Sequence, residues 1–351
     1  MKTIWWFLGM LTSMGVLTIF VWRSSQNSVL GSANLPSRKS LTENTIRYER
    51  RILNQSDAHI IFVPSQSNFL VTPAISQNLE TIEKFAQKNQ AIAIVNGGFF
   101  DPNNQKTTSN IIIQGKLVAN PRENERLVKN PDLKSYLNQI FNRIEFRRYI
   151  CNKSLKTSQF KNLHLSLVER ASSPFIQEGG RGRPPHKINN LFLGNPLAEN
   201  SKTNNIARYD IAFHNDPLPT GCLLVDALGG GPKLLPNLTL VQEGFVDEAK
   251  SRDALGSTQL NARSAVGITH DGSIILVMIS QKPKVSPSGI SLPALADFMK
   301  SLGAEKAMNL DGGSSSSLYY NGKTFFGKVD LEGNSVKRPI KSVLLVRKTY
   351  L

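Results

Sequence analysis

Residues 4–22 (IWWFLGMLTSMGVLTIFVW) run without a charge between Lys2 and Arg23. As a helix this run is about 28 Å long at ~1.5 Å per residue, close to the ~30 Å hydrocarbon thickness. Its tryptophans, Trp5, Trp6 and Trp22, sit near its ends. No A-x-A cleavage site follows it, so the pattern predicts a signal anchor rather than a cleaved signal peptide over residues 1–23. The Ser-, Asn- and Pro-containing stretch after it reads as a linker, taken as 24–57.

From residue 58 the apolar positions form short strand-like runs. AHIIFV at 58–63 and the run at 69–75 flank a turn cluster at 64–68. Leu79, Ile82, Phe85 and Ala86 have helical spacing within 77–89, with Ser76 as N-cap. AIAIV at 91–95 predicts a buried strand, and 111–119 a hairpin turning at Gln114-Gly115. The strand pattern resumes at 209–214, 222–225, 264–269 and 273–279, the last two joined by His270-Asp271-Gly272. Residues 291–302 carry Leu292, Leu295, Ala296, Met299 and Leu302 on one face and stop at Gly303, the pattern of a helix with a glycine after its C-terminus. Strands follow at 306–310, at 318–320 and 323–326 around Asn321-Gly322, and at 342–347. The class is α+β, a mixed β-sheet with flanking helices, in one domain over 58–349.

Charge adds one feature. The chain of 351 residues has a formal net charge of +16. Residues 122–187 hold 14 Lys/Arg against 6 Asp/Glu, half of that excess in about a fifth of the length. The strand pattern is poor there, although 132–146 has the spacing of an amphipathic helix. We read 121–208 as a basic insertion, peripheral to the fold, facing anionic polymer or a membrane surface. No nucleic-acid motif accompanies the charge, and nucleic acid is not expected as a partner. Cys151 and Cys222 are too few for a disulfide framework or a four-cysteine zinc site; they either pair or stay reduced.

Three glycine-rich elements follow predicted strands: NGGFF at 96–100, GGGP at 229–232 and NLDGGSS at 309–315. Paired glycines let a backbone turn sharply and aim N–H groups at an anion, notably phosphate. Arg263 opens an otherwise apolar strand, where its guanidinium must meet an oxyanion or a salt-bridge partner. The P-loop, GxGxxG, H-E-x-x-H and G-x-S-x-G patterns are absent. No metal site and no cofactor are predicted, with a divalent cation left open.

NGGFF, GGGPKLL, ARSAVGIT, SLPALADFMKSLGAEKAM and NLDGGSSSSLY, in this order, resemble the phosphodiester glycosidase family over residues 58–347, the basic insertion excepted. Asn261-Ala262 stands where relatives often carry His-Pro, and Ser264 and Ser314 replace a frequent Thr and Gly. The resemblance implies hydrolysis of the glycosidic bond in a sugar-1-phosphodiester, releasing free sugar and a phosphomonoester. The substrate would be N-acetylglucosamine-1-phosphodiester or a phosphorylated envelope glycan.

A phosphodiester leaving group needs charge stabilisation more than a strong acid. Arg263 and the backbone of Gly97, Gly98, Gly230, Gly231, Gly312 and Gly313 are therefore expected to hold it. A carboxylate must act at the oxocarbenium-like centre. Asp311 is the first choice, Asp101 the second and Asp226 the third. Asn96 and Asn309 are expected to bind sugar hydroxyls or to orient the carboxylate, Ser314 to bind the substrate, and Phe99 or Phe100 to stack on the ring. The competing reading is a non-catalytic envelope protein that binds anionic polysaccharide, in exopolysaccharide biogenesis. Both readings put the folded part outside the cytoplasm, tethered by residues 4–22.

Overall fold

The computed structural model describes residues 45–151 and 206–349. The predicted anchor at 4–22, the linker as far as 44 and the middle of the basic stretch lie outside the described residues. Among the described residues no helix is long and apolar enough to cross a membrane.

In chain order the strands begin with β1 (Arg47–Ile52), β2 (Ser56–Val63), β3 (Phe69–Glu80), β4 (Ala93–Asn96), β5 (Ile111–Ile113) and β6 (Lys116–Ala119). They continue with β7 (Ile144–Cys151), β8 (Ile206–Phe213), β9 (Cys222–Gly229), β10 (Lys233–Leu235), β11 (Val246–Asp247) and β12 (Arg252–Asp253). The last are β13 (Arg263–Thr269), β14 (Ile274–Gln281), β15 (Ala304–Asn309), β16 (Ser317–Tyr320), β17 (Lys323–Phe326) and β18 (Ile340–Lys348). Helices α1 (Ile82–Asn89), α2 (Glu125–Val128), α3 (Leu137–Phe141) and α4 (Leu292–Ser301) interrupt them.

Three larger sheets result, ordered β1-β2-β14-β13-β15-β10, β17-β16-β4-β18-β3 and β6-β5-β9-β7-β8. Their inner faces share one core. Alternation explains why several strands read as continuous apolar runs. On β14, Ile274, Leu276 and Met278 face the central core, while Ile275, Val277 and Ile279 face α4 through Leu292, Leu295 and Met299. On β4 and β18, Val95, Leu344 and Val346 point inward, while Ile94, Val343 and Leu345 meet Ile82 and Phe85 of α1. The two helices thus cover the outer faces of the first two sheets.

The fold is mostly β, with few helices. Among the described residues the mixed sheet expected from the sequence is not found: every strand pairing there is antiparallel. Antiparallel pairs are joined by hairpins, and parallel ones need long crossovers. The local turn signals did hold. Gln114-Gly115 and Asn321-Gly322 both take positive φ between paired strands, as a tight hairpin of mirror-image turn type requires. Ser291 caps α4 through the Ala294 N–H, and Gly303 follows it at φ +89°.

Four boundaries are corrected. The stretch assigned to the linker contains β1 and the start of β2, an edge hairpin on the first sheet. The helix predicted from 77 starts at Ile82 with Thr81 as its cap, because β3 continues to Glu80 against β18. The helix predicted over 132–146 is a 3₁₀ turn (Pro131–Tyr136), the short α3 and then β7. β7 also overturns the peripheral insertion at 121–208, since it is an interior strand between β9 and β8. Its four charges, Glu145, Arg147, Arg148 and Arg143 just before it, disguised it. All four are buried, and three of them are paired inside the fold: Arg147 with Glu145 at 3.0 Å and Arg148 with Asp226 at 2.7 Å. Cys151 and Cys222, left open by the sequence, are direct neighbours on β7 and β9 and form a disulfide.

Candidate functional site

The motif loops meet at one edge of the fold. Asn96 ends β4, and its Nδ2 donates to the Asp311 carbonyl at 2.7 Å while its Oδ1 accepts from Ser264 Oγ at 2.6 Å and the Ser317 amide at 3.1 Å. The Asp311 amide donates to the Gly97 carbonyl at 3.0 Å. Asn309 Nδ2 donates to the Gly231 carbonyl at 2.8 Å, and the Gly231 amide donates to the Asn309 carbonyl at 2.8 Å. Gly313 donates to the Ala262 carbonyl at 2.8 Å. The loops after β4, β9 and β15 and the residues before β13 are therefore laced to one another. Asn96 and Asn309 donate through their amide nitrogens to carbonyls of these loops, the orienting role that the sequence also allowed.

Five of the six glycine amides expected in an anion nest are committed inside the protein. The amides of Gly97, Gly230, Gly231, Gly312 and Gly313 each donate to a protein oxygen. What these loops require is close approach. A Cβ on Gly97 would lie 2.4 Å from Ser342 Oγ, and one on Gly98 would lie 2.1 Å from the Gly229 carbonyl oxygen. Gly231, at φ +115°, has the Glu243 carboxylate 2.3 Å from where a Cβ would sit.

The three candidate carboxylates separate clearly. Asp226 is buried and accepts from Arg148, from Thr72 Oγ1 at 2.9 Å and from the Gln114 amide at 2.9 Å, so it ties the third sheet to β3. Asp101 caps its own turn through the Asn103 amide at 2.8 Å and pairs with Arg126 at 2.8 Å. Both are structural. Asp311 is different: among the described residues its Oδ1 accepts only the Gly312 amide, at 2.9 Å, and no salt bridge reaches it. Burial pushes its carboxyl up to about 6, against the Ser315 hydroxyl, the Arg338 charge and the Gly312 N–H, which pull the other way. The Ser315 hydroxyl lies beside the carboxyl without closing a hydrogen bond of normal geometry.

Arg263 is not available to a phosphate as expected. Its Nη2 donates to the carbonyls of Gly256 (2.7 Å) and Gln259 (3.2 Å), Nη1 to Leu255 (3.1 Å) and Nε to Ile290 (3.4 Å). It pins the loop before β13 and leaves at most one donor. The arginine that faces Asp311 is Arg338, which the sequence reading passed over. Its Nη1 donates to Ser314 Oγ at 2.8 Å, and its guanidinium lies 5.1 Å from the Phe100 ring centroid. Phe99 packs on Phe245 at 5.7 Å. Around these loops Ser109, Ser315, Ser316 and Ser342 Oγ and Asn309 Oδ1 are buried without a partner among the described residues, a seam of polar atoms with hydrogen-bonding capacity to spare. Among the described residues no group of three His, Cys, Asp or Glu side chains is placed to hold a metal ion.

The site is thus a carboxyl and an arginine on laced loops of an antiparallel β fold. Residues 193–347 match the phosphodiester glycosidase family model, and the resemblance read from the motifs holds there; NGGFF lies outside the matched residues. The catalytic domain of zebrafish N-acetylglucosamine-1-phosphodiester alpha-N-acetylglucosaminidase, auto-inhibited by its pro-peptide, has a similar fold. It aligns at 18% identity with a TM-score of 0.51, over 87% of this chain and 83% of that one. A hypothetical protein from Synechocystis aligns at 18% identity and TM-score 0.48, over 86% of this chain and 62% of that one. A putative exported protein from Burkholderia pseudomallei aligns at 15% and 0.49, over 83% and 74%. A search of the curated proteins finds no match to this chain.

Proposed function

We propose that the chain hydrolyses the glycosidic bond of a sugar-1-phosphodiester, an N-acetylglucosamine-1-phosphodiester or a phosphorylated envelope glycan. The observation that carries this reading is Asp311: a carboxyl held by the laced loops, pushed up to about 6, with Arg338 as its facing charge. In the reaction, water supplies the oxygen that bonds to the anomeric carbon, the bond from that carbon to the phosphate oxygen breaks, and the phosphomonoester departs. Asp311, ionised, takes the proton of the water or stabilises the cationic carbon. Arg338 and the Ser314 hydroxyl receive the negative charge of the departing phosphate. Phe100 lies against Arg338, its ring centroid 5.1 Å from the guanidinium.

The test is release of free sugar from a synthetic N-acetylglucosamine-1-phosphodiester, compared with a neutral aryl glycoside of the same sugar. The diester is expected to turn over, and Arg338→Met to lose ~10²–10³ in kcat on it. Binding of the diester with no turnover would leave the polysaccharide-binding reading in its place.

The same proposal puts the folded part outside the cytoplasm, tethered by residues 4–22. The Cys151–Cys222 disulfide supports it, because such bonds persist in oxidising compartments. A C-terminal reporter that matures only outside the cytoplasm should be active; activity of one that works only inside would overturn the assignment.

A further inference from the structure

Three successive carbonyls, those of Glu243, Gly244 and Phe245, are held by two arginines. Arg143 Nε donates to Glu243 O at 3.1 Å, and Arg252 Nη1 donates to Gly244 O at 2.7 Å and Phe245 O at 3.2 Å. The two guanidiniums therefore flank one short loop. Arg143 stacks on Phe245 at 3.8 Å, and Arg252 on Tyr136 at 4.6 Å.

Neither arginine has a carboxylate within salt-bridge distance among the described residues. Glu243 and Asp247 are the nearby acids, and their oxygens are occupied. Glu243 accepts from the Lys233 amide at 2.8 Å, the Ile144 amide at 3.1 Å and Thr239. Asp247 accepts from the Tyr136 hydroxyl at 2.6 Å and faces Lys250 at 3.7 Å. Arg143 is only 8% exposed, yet both of its terminal nitrogens lack a protein partner among the described residues. Those nitrogens are not among the fully buried unpartnered atoms, so they reach solvent with donors to spare. Burial holds Arg143 down at about 10, against the Glu243 carboxylate, which pulls the other way, and with a smaller push from the charge of Arg252. Two like charges so placed are relieved by an oxyanion bound between them, and a guanidinium fork fits phosphate oxygens.

The position connects to the candidate site. Phe245, beneath Arg143, touches Phe99 of the NGGFF loop and lies 3.0 Å from where a Cβ of Gly231 would sit. We infer that Arg143 and Arg252 form a phosphate-binding subsite beside the Asp311 loops, floored by Phe245 and Tyr136, that holds a phosphate group of the ligand. This inference rests on the reading of a phosphate-bearing ligand, and its test does not require turnover.

Inorganic phosphate is titrated into the full chain by calorimetry, with Arg143→Met and Arg252→Met alongside. Each variant is expected to weaken phosphate binding about tenfold or more, the loss of one charged hydrogen-bonding partner. Arg252 is less buried and serves if Arg143→Met fails to fold; Arg143→Lys, which keeps charge but not the fork, should fall between. Unchanged phosphate affinity in a folded Arg252→Met or Arg143→Met protein overturns the subsite, whatever the activity. Phosphate binding lost in the variants while the wild type hydrolyses no sugar-phosphodiester supports the subsite and overturns the proposed hydrolysis instead. If the KM for a diester with a single phosphate rises with the loss of binding, the phosphate held is the one being released. If KM is unchanged, the subsite takes another phosphate of a longer ligand.

Discussion

Asp311→Asn is expected to abolish turnover of a sugar-1-phosphodiester, by ~10²–10⁴ in kcat, the usual contribution of a positioned proton-transfer group. The amide keeps the shape of the carboxylate and can still accept the Gly312 N–H, so substrate affinity should change little. In the wild type, kcat/KM should rise with pH through about 6 and then level off, because the ionised form of Asp311 does the work and burial holds its titration there. A carboxyl that titrates near 3.8 when unfolded and about 6 when folded stabilises the fold fully below pH 3.8 and loses that contribution as the pH rises through 6. At pH 8 the wild type therefore carries a desolvated charge that Asp311→Asn removes. The variant should melt at the same temperature or higher, an activity–stability trade at one residue. Wild-type-like turnover in the variant, or a rate with no acid limb, would remove Asp311 from the reaction.

Gly98→Ala is expected to be the most damaging single change to the fold. The new Cβ would lie 2.1 Å from the carbonyl oxygen of Gly229, which is backbone of β9 and cannot swing aside as a side chain can. The Gly229 amide is itself bonded to the Asn110 carbonyl at 2.9 Å, so relief of the clash disrupts the third sheet. Overpacking of this kind costs about 3 kcal/mol or more. Gly303→Ala is the comparison: φ is +89° there, but nothing lies within 4 Å, so only the left-handed backbone resists, at about 1 kcal/mol. Urea midpoints of the two variants separate the cases. Equal midpoints would mean that the NGGFF and GGGP loops are not packed as tightly as described.

Much of the architecture was legible because it is local. A hairpin at Gln114-Gly115 or Asn321-Gly322 depends on which residues tolerate positive φ, and α4 on an N-cap, a five-residue apolar face and a terminal glycine. Those are properties of a few consecutive residues. The identity of the motif loops was legible for the same reason, since glycine pairs after apolar strands mark backbones that must come close to something. What they approach was not legible: the sequence suggested an anion, and the structure puts another loop there.

Only the tertiary structure decided the charges. Arg263, Arg143, Arg148 and Arg338 are one residue type in four environments. One spends its donors on loop carbonyls, one has no ion pair among the described residues, one is neutralised by Asp226, and one donates to Ser314 with its charge acting on Asp311. Whether an arginine is buried, and beside which oxygen, depends on contacts between segments far apart in the chain: 78 positions for Arg148 and Asp226, and 100 for Arg143 and Glu243. The same applies to β7, whose charges imitate a solvated segment until partners from β9 and the β8 turn are brought around it, and to Cys151 and Cys222, 71 positions apart. The chain alone determined where its backbone turns and which faces are apolar. Burial, which sets the worth of every charge and the titration of Asp311, exists only once the sheets close on one another.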